Sequence, residues 1–322
     1  MAGSSRDILP MFAGAMGRLT GGDPAMLDLP RIGLAVSGGP DSLALMLLAH
    51  AAFPKAISVA TVDHRLRPEA ADEAAFVARL CVERGIPHTI LTPDQPITGN
   101  LQSAAREARY QLLNDWADNQ GLRWIATAHH ADDQLETLLM RIARGSGIAG
   151  LSAIRESNGR IIRPLLGFTK AELVAVCQEQ SVTPCEDPSN ANLDFDRVQV
   201  RNWLKSAPPL LDAARIARTV TALRQSHEAL EWMAARLEPE RIAVNENRGA
   251  TLDPSGLPPE IVRRLLIRAL QSQNPQISPR GDTIDRALET LNAGGKLTIG
   301  DLVCTGGTLW HIEPAPPRKQ NH

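Results

Sequence analysis

A short polar loop separates two apolar stretches near the start of the chain. Its residues are, in order, Ser37, Gly38, Gly39, Pro40, Asp41 and Ser42. The two glycines allow positive φ and a close approach of the backbone to a ligand. Pro40 suits the first position of a helix, where its missing N–H would have no partner. Exposed N–H groups, the helix dipole and two serine hydroxyls then indicate an anion-binding site.

The loop has no lysine, which sets its chemistry apart from that of a Walker loop. A Walker loop reads G-x-x-x-x-G-K-[ST], and its lysine reaches the terminal phosphates of the nucleotide. A loop without that cation suits a different task, which is to hold pyrophosphate as a leaving group while Asp41 helps to place magnesium. An ordinary glycine-rich turn is the alternative, but strand, full hexapeptide and helix together favour phosphate binding.

A second group of polar residues follows the apolar stretch 123–128. His129 ends this predicted strand, and Asp133 and Glu136 lie three residues apart on one face of the helix that starts there. Two carboxylates at such a junction can hold magnesium, or receive an ammonium group and take its proton. Alternatively, Asp132 and Asp133 simply favour the N-terminus of the helix, but this explains neither His129 nor Glu136.

Two further positions complete the predicted nucleotide site. Asp63 follows the apolar stretch 57–62, and Arg106 and Arg109 share a face of the predicted helix 101–119. We assign Asp63 and Arg106 to nucleotide binding. For Arg106 the reason is that an arginine placed in this way can stabilise an anionic transition state. A solvated helix face is an equally good explanation of the arginine spacing.

Strand and helix patterns alternate through the first two thirds of the chain. The predicted strands are 32–36, 57–62, 88–91 and 123–128, and the predicted helices between them are 42–51, 69–84 and 101–119. This alternation predicts an α/β fold with a Rossmann-like parallel sheet covered on both faces. Ligands of such sheets bind at the carboxyl ends of the strands, where Ser37, Asp63 and His129 lie. Residues 1–30 show no clear period and predict at most a short leading helix.

The composition changes at "KSAPPLLD", residues 205–212, where adjacent prolines stop any helix. We therefore predict a catalytic domain over 1–206 and a smaller, mainly helical domain over 207–322. Its predicted helices are 213–237, with His227 on the apolar stripe as a packed core histidine, and 259–272. The tail "GGKLTIGDLVCTGGTLWHI" predicts short strands.

The overall composition excludes several classes of protein. The net charge is −2 and aromatic residues make up only 3% of the chain, so an RNA binder built on stacking platforms is disfavoured. The four cysteines form no CxxC pair, which disfavours metal and redox sites. No uncharged run approaches the ~20 residues of a membrane span, and no leader pattern begins the chain. We expect a cytoplasmic protein with no membrane partner.

The loop sequence SGGPDS resembles the SGGxDS signature of the PP-loop ATP pyrophosphatases. These enzymes cleave ATP between its α and β phosphates to adenylate a substrate. Three more segments look like ordered motifs of the tRNA(Ile)-lysidine synthetases: residues 126–154, "RPLLGFTKAEL" at 163–173 and "EDPSNANLDFDRVQVRNWL" at 186–204. The resemblance covers roughly residues 31–204. One departure is Gln199, which stands where the family often has the middle arginine of R-N-R-I-R, so that arginine's role is not carried over.

The resemblance implies a reaction in two steps. The wobble cytidine of a tRNA(Ile) with a CAU anticodon is adenylated, and the ε-amine of free L-lysine then displaces AMP to give lysidine. The implied cofactors are ATP and magnesium, with the loop holding ATP and with Asp41 and Asp133 as the metal ligands. His129 would lie near the adenylate, Asp133 and Glu136 would serve lysine or magnesium, and Arg201 would bind lysine or the intermediate. Family members suggest a monomer or a homodimer.

Two basic segments are candidate tRNA contacts in the predicted 207–322 domain and next to it. Between residues 197 and 224 the cations Arg197, Arg201, Lys205, Arg215, Arg218 and Arg224 face a single acid, Asp212. They predict a phosphate-contacting stripe, or else an ordinary exposed helix face. Arg263, Arg264 and Arg268 either contact the body of the tRNA or are simply solvated.

Three rival functions use the same loop. A PP-loop tRNA thiolase normally needs paired catalytic cysteines or a cluster, and Cys177 and Cys185 lack that spacing. An amidotransferase-linked synthetase would need an ammonia source from a separate subunit. A regulator that senses ATP without turnover needs only the loop, so the retention of His129, Asp133 and Glu136 argues against it.

Overall fold

A computed structural model of the 322-residue chain describes residues 5–22, 32–66, 69–97, 101–152, 154–185, 196–206, 211–245 and 249–315. The chain divides into two compact units, residues 1–144 with 152–221, and residues 145–151 with 222–322. The predicted domain boundary near residue 207 falls at 207–210, outside the described residues. Within the described part, no helix is both long and apolar enough to cross a membrane.

The first unit contains a six-stranded sheet in the order β3-β2-β1-β4-β6-β5. Its strands are β1 (Ile32–Ala35), β2 (Ile57–Val62), β3 (His88–Leu91), β4 (Trp124–Ala126), β5 (Ser157–Asn158) and β6 (Ile161–Ile162). All neighbouring pairs are parallel except β5 with β6. The predicted α/β fold with a parallel sheet is confirmed, whereas the edge strands β5 and β6 were not predicted.

Eight helices precede the long helix that runs on into the second unit. They are α1 (Ser5–Thr20), α2 (Pro40–Ala52), α3 (Glu69–Glu83), α4 (Leu101–Asn119), α5 (Ala131–Ala143), α6 (Ile148–Leu151), α7 (Lys170–Glu179) and α8 (Asp196–Ser206). α1 is longer than the short leading helix predicted from residues 1–30. Its buried residues Ile8, Phe12 and Met16 form a stripe of period four that the sequence reasoning overlooked.

α2, which begins in the polar loop, is enclosed by the protein core. Residues 42–49 are all buried, and the helix contacts α1, α7 and the first two strands. An apolar sequence on every side of a helix is typical of such a buried position. The loop at its start is therefore anchored to one of the most rigid parts of the unit.

The two faces of the sheet carry different cores. Ile32 and Leu34 point into the core that contains α2, whereas Ala35 packs with Leu113 and Trp116 of α4. A Cβ at Gly33 would lie only 2.5 Å from the Trp116 ring. The absence of a side chain at Gly33 is what lets α4 approach the sheet.

The strand order places a topological switch between β1 and β4. The chain leaves β1 for β2 and β3 on one side and returns to β4 on the other. Loops after β1 and β4 therefore diverge and leave a crevice at their carboxyl ends. The Ser37–Ser42 loop and the segment that contains His129 flank this crevice.

The second unit is built on a five-stranded antiparallel sheet in the order β7-β8-β11-β10-β9. Its elements are α6, the later part of α9 (Ala213–Arg241), β7 (Ile242–Asn245), β8 (Gly249–Leu252), α10 (Pro259–Gln273), α11 (Gly281–Asn292), β9 (Lys296–Ile299), β10 (Leu302–Thr305) and β11 (Trp310–Pro314). Its core joins the sheet to α10 and α11.

The prediction that the C-terminal region is mainly helical is therefore wrong, because the region is built on an antiparallel sheet. The helices near 213–237 and 259–272 and the strands of the tail exist, but β7 and β8 extend the tail into a full sheet. Each of these two strands has only four residues, and β8 pairs with β11 across more than half of the unit. Such short, non-local pairing leaves little periodicity in the sequence.

We predict that Gly33→Ala destabilises the first unit by about 1–3 kcal/mol, because the new methyl group overpacks against the Trp116 ring. Urea unfolding followed by circular dichroism measures the change. Gly167→Ala is the matched control, since nothing lies within 4 Å of its Cβ position. Equal unfolding midpoints for the two variants would contradict the tight packing of α4 on the sheet.

Candidate active site

The polar loop is held open by hydrogen bonds within itself. The Ser42 hydroxyl accepts from the Ser37 N–H at 3.1 Å and donates to the Gly39 carbonyl at 3.0 Å. Gly38 has φ of +89°, and its carbonyl accepts from the Cys185 N–H at 3.0 Å. Pro40 occupies the first turn of α2, as predicted. The conformation therefore depends on a glycine at 38, since L side chains rarely adopt this φ.

A cavity of about 1030 Å³ opens above this loop. Its walls include Ser37 and Asp41 from the loop, Val62 at the end of β2, Glu136 on α5 and Arg201 on α8. The volume lies at the upper end of the range of small-molecule sites and suits a ligand of nucleotide size. The sheet crevice is thus a real cavity with charged groups on its walls.

His130 lies at the centre of a cluster of carboxylates. Its Nε2 is 3.4 Å from Asp41 Oδ2 and 3.6 Å from Asp133 Oδ2, and its Nδ1 is 3.5 Å from Asp132 Oδ2. Burial lowers the pKa of His130, but the carboxylates of Asp132, Asp41 and Asp133 outweigh burial and raise it to about 10. At neutral pH His130 is therefore a buried imidazolium that links the loop to α5.

The preceding histidine, His129, differs from His130 in its charge state. Burial is the main cause that lowers the pKa of His129 to about 4, and the nearby Arg163 lowers it further while Asp133 opposes the change. Its Nδ1 lies 3.0 Å from the Thr127 hydroxyl. His129 is therefore neutral at pH 7, and two adjacent histidines differ in charge because only one of them faces carboxylates at ion-pair distance.

The start of α5 explains why the two aspartates sit where they do. The His130 N–H donates to Asp133 Oδ2 at 3.0 Å in a capping box. Asp132 Oδ2 accepts from the Lys170 N–H at 2.7 Å. The alternative role of these aspartates at a helix N-terminus is thus real. Asp133 also lines the cavity, so the cap fixes a side chain that faces the ligand space.

Glu136 is fixed from the opposite side by α8. Arg201 donates from Nε to Oε1 at 2.7 Å and from Nη2 to Oε2 at 3.1 Å. Glu136 is only 3% exposed, and its carboxylate raises the pKa of Arg201. A bidentate pair of this kind sets the position of both groups in the cavity wall.

The residues present fit a magnesium ion that is shared with a ligand. Asp41 Oδ1 is buried, and it has no hydrogen-bond partner within the described residues. Within the described residues, no group of three or more His, Cys, Asp or Glu side chains is arranged to hold a metal ion by itself. Magnesium commonly binds one or two carboxylates and takes its remaining ligands from substrate phosphates and water. An unsatisfied carboxylate oxygen beside an anion-binding loop suits that arrangement.

Comparison with known proteins agrees with this geometry. The family model described as "PP-loop domain" matches residues 20–207. A protein of Zymomonas mobilis named tRNA(Ile)-lysidine synthase is 44% identical over 90% of this chain and 90% of its own length, and one of Novosphingobium aromaticivorans with the same name is 39% identical over 96% and 97%. This chain belongs to the tRNA(Ile)-lysidine synthase family.

The fold is also shared with a solved structure of different chemistry. The U34-tRNA thiolase NcsA from Methanococcus maripaludis, determined with its [4Fe-4S] cluster, matches with a TM-score of 0.53 at 19% identity, over 67% of this chain and 78% of that one. At this identity the likeness shows the PP-loop fold alone. The fold therefore does not separate lysidine synthases from thiolases, and only site residues can.

The cysteines of this family member do not form a reactive site. Cys81 and Cys177 are buried, and burial raises their pKa values to about 12 and about 11. Cys185 lines the cavity, but burial raises its pKa as well. High pKa values keep these groups as thiols, which neither attack nor ligate metals well.

The predicted site residues separate into three groups. Those that line the cavity are Ser37, Gly39, Pro40, Asp41, Asp133, Glu136 and Arg201. Gly38 and Ser42 support the loop from behind through the hydrogen bonds described above. His129, Asp63 and Arg106 are not among the described residues that line the cavity.

Two of these three have clear local roles. Asp63 Oδ1 accepts from the Arg65 N–H at 2.8 Å and thereby supports the positive φ of Arg65. Arg106 is exposed, with its guanidinium 5.1 Å from the centre of the Tyr110 ring. In each case the neighbouring polar residue, His64 for Asp63 and Arg109 for Arg106, faces the cavity instead. The roles of Asp63 and Arg106 in nucleotide binding therefore stay predictions, and His64 and Arg109 are added as cavity-lining neighbours.

His130 and Lys170 are site residues that the sequence reasoning missed. Both line the cavity, and neither stands out by spacing alone. A signal for His130 existed, because it precedes Asp132 and Asp133 by two and three residues at a predicted helix start, where both carboxylates can reach its ring. For Lys170, the capping box formed by Thr169 and Glu172 marks the start of α7 and so places the lysine at an element end.

The predicted tRNA-contacting arginines have a mixed outcome. Arg215 and Arg218 are exposed on α9, whereas Arg201 pairs with Glu136 and Arg224 lies 3.6 Å from Glu228. The side chains of Arg197 and Lys205 lie outside the described residues.

The second basic cluster is engaged inside its own unit. Arg264 is 5% exposed and pairs with Glu231 and Glu260, and Arg268 pairs with Glu231 and Glu238. Arg263 pairs with Asp285 and Glu260. His227 is half-buried, with Nδ1 3.1 Å from Arg264 Nη1, so it belongs to this polar network and not to an apolar core. These arginines tie α9 to α10 and α10 to α11, and the expectation that they are simply solvated is wrong.

We predict that His129 and His130 titrate far apart. Imidazole nitrogen NMR across pH 4–10 should show His130 charged through pH 9 and His129 neutral from pH 5 upward. His129→Gln and His130→Asn assign the two signals. Protonation of His130 stabilises the fold in full below the ordinary pKa of 6.5, and this contribution is lost as the pH rises towards 10. Two histidines that both titrate near 6.5 would disprove the carboxylate cluster.

Proposed function

We propose that this chain is an ATP-dependent ligase that joins free L-lysine to the wobble cytidine of tRNA(Ile) with a CAU anticodon. The named function of its relatives supports this reaction, since they are 36–44% identical over about nine tenths of the chain or more. At the level of residues, one observation carries the proposal. The anion-binding loop and the carboxylates of Asp133 and Glu136 line the same cavity.

The first half-reaction needs an adenylating site. The cytidine carbonyl oxygen attacks the α-phosphorus of ATP, the bond to the β-phosphate oxygen breaks, and pyrophosphate leaves. The loop N–H groups and the start of α2 receive the phosphates. The cations of Arg109, His130, Lys170 and Arg201 line the same cavity and can stabilise the charge that develops on the leaving group. Cations on surrounding elements thus take the place of a loop lysine.

Magnesium, when bound, neutralises phosphate charge and orients the leaving group. Asp41 is the best-placed ligand because its Oδ1 has no other described hydrogen-bond partner and its position is fixed by His130. Asp133 is the second candidate, since both carboxylates lie against the same imidazole nitrogen. The remaining ligands would come from phosphate oxygens and water.

The second half-reaction needs a neutral lysine amine. An ε-ammonium group has a pKa of about 10.4, so a carboxylate must hold it and accept its proton before the nitrogen attacks the activated ring carbon and AMP departs. Asp133 and Glu136 are the candidate acceptors. Glu136 lines the cavity, where an ammonium group can approach the carboxylate that the bidentate pair with Arg201 holds in position.

We retain the proposal that His129 lies near the adenylate. It would contribute a neutral imidazole ring there. Because its pKa lies near 4, the ring can accept or donate a hydrogen bond without adding charge. We also retain, as proposals, a catalytic domain over 1–206, tRNA binding by residues 207–322, a cytoplasmic location, and a monomer or homodimer.

One assay tests the function. The purified chain is incubated with ATP, magnesium and radiolabelled lysine, together with transcripts of tRNA(Ile) or tRNA(Met) that share the CAU anticodon. We expect AMP release and lysine incorporation with tRNA(Ile) only. A requirement for a sulfur donor would indicate a thiolase, release of ADP would indicate terminal phosphoryl transfer, and absence of AMP would indicate an ATP sensor.

We predict that Glu136→Gln separates the half-reactions. Pyrophosphate exchange with tRNA(Ile) and no lysine should persist within a few fold, whereas lysine incorporation should fall by about 10²–10⁴, the range for loss of a general base. Glu83→Gln, at the exposed last residue of α3 in the first unit, is the control. Equal loss of both half-reactions would show that Glu136 serves adenylation or the fold, and not lysine.

A further inference from the structure

A second concave surface lies beside the cavity, between α5 and α8. This groove has a volume of about 420 Å³. α5 contributes Leu139, Met140 and Ala143, and α8 contributes Val200 and Trp203. Apart from the side chains of Arg144 and Gln199, its described walls are apolar, so its ligand must present an apolar surface.

Trp203 is the unusual residue of this groove. Its side chain is 56% exposed although it is one of only five tryptophans in the chain. Within the described residues it takes part in no ring stacking and no side-chain hydrogen bond. A large exposed ring beside an apolar groove is a feature of interaction sites.

The charge around the groove selects the kind of ligand. Arg144 lines it, and Arg141 on the preceding turn of α5 is also exposed. No acidic residue belongs to its described lining. Cations next to an exposed aromatic ring match an unpaired nucleotide, which has a flat base and an anionic backbone.

The position of the groove adds an independent reason. Met140 follows Glu136 by one helical turn, a rise of about 6 Å along α5. On α8, Val200 and Trp203 flank Arg201 in sequence, and Arg201 pairs with Glu136 in the cavity wall. The groove therefore continues the surface on which the modified cytidine is proposed to lie.

We propose that this groove binds an unpaired base of the anticodon loop next to the modified cytidine, with Trp203 stacking on it. The inference rests on the proposed function, because it takes a tRNA as the ligand. Gln199 also lines the groove and adds a polar side chain to its wall. The chain thus has a base-holding site separate from the carboxylates that carry the chemistry.

Direct binding of an anticodon stem-loop RNA tests the site without ATP or lysine. Trp203→Ala should weaken binding by roughly 5- to 150-fold, the range for loss of one stacked base, and Trp203→Phe should recover most of it. Met11→Ala is the control, because Met11 is a large apolar side chain of α1 that is 62% exposed, and no α1 residue is among the described lining of the cavity or the groove. Circular dichroism of each variant checks that the fold is kept.

Abasic RNA identifies the base. An abasic nucleotide beside the cytidine should weaken binding to the native chain by a similar factor and have little further effect on Trp203→Ala. Independent, additive losses would overturn the assignment, as would unchanged binding by Trp203→Ala. A change of oligomeric state in Trp203→Ala on sedimentation would instead identify the groove as a contact between copies and also overturn it.

The two proposals can fail separately. If the native chain binds the stem-loop through Trp203 but releases no AMP with tRNA(Ile), the proposed reaction is wrong and the groove stands. If lysidine forms while the stem-loop binds Trp203→Ala as tightly as the native chain, the groove assignment is wrong and the reaction stands.

Discussion

The active site is organised by one buried imidazolium. His130 contacts carboxylates from two separate parts of the chain, Asp41 at the start of α2 and the Asp132–Asp133 pair at the start of α5. Like charges this close would repel one another without a cation among them. The cluster therefore depends on the proton of His130, and the position of the loop relative to α5 depends on the cluster.

The same cation resolves the problem posed by a phosphate loop without lysine. Backbone N–H groups and a helix N-terminus attract phosphate, but they carry only partial charges. Full positive charges come from residues on other elements, His130 before α5, Arg109 on α4 and Arg201 on α8. Because those charges, together with Lys170 at the start of α7, lie around the cavity and not in the loop, the site can stabilise pyrophosphate without a lysine in the loop itself.

Sequence reasoning found the fold of the first unit because its strands are buried and separated by clear helices. β2, β3 and α4 have the predicted bounds, and the site lies at the predicted carboxyl ends of the strands. Spacing alone does not determine side-chain directions. His64 and Arg109 line the cavity, whereas the nucleotide-binding roles of Asp63 and Arg106 stay predictions.

The errors in the second unit have another cause. Arg264 and Arg268 looked like an interaction surface in the sequence, but their partners Glu231 and Glu238 lie some 30 residues or more away along the chain, on α9. The partners in the β8–β11 pairing, such as Leu252 and Trp310, are even farther apart along the chain. Neither long-range ion pairs nor pairings of four-residue strands leave a local pattern, so composition alone could not reveal them.

The enclosure of α2 has a consequence for how the nucleotide is received. A helix packed on all sides by α1, α7 and the sheet cannot shift without disturbing the whole hydrophobic interior. Its first turn therefore keeps a fixed position when the phosphates bind. Any adjustment to a large RNA substrate is therefore expected on the α8 side of the cavity, where the Arg201–Glu136 ion pair and the apolar groove join α8 to α5.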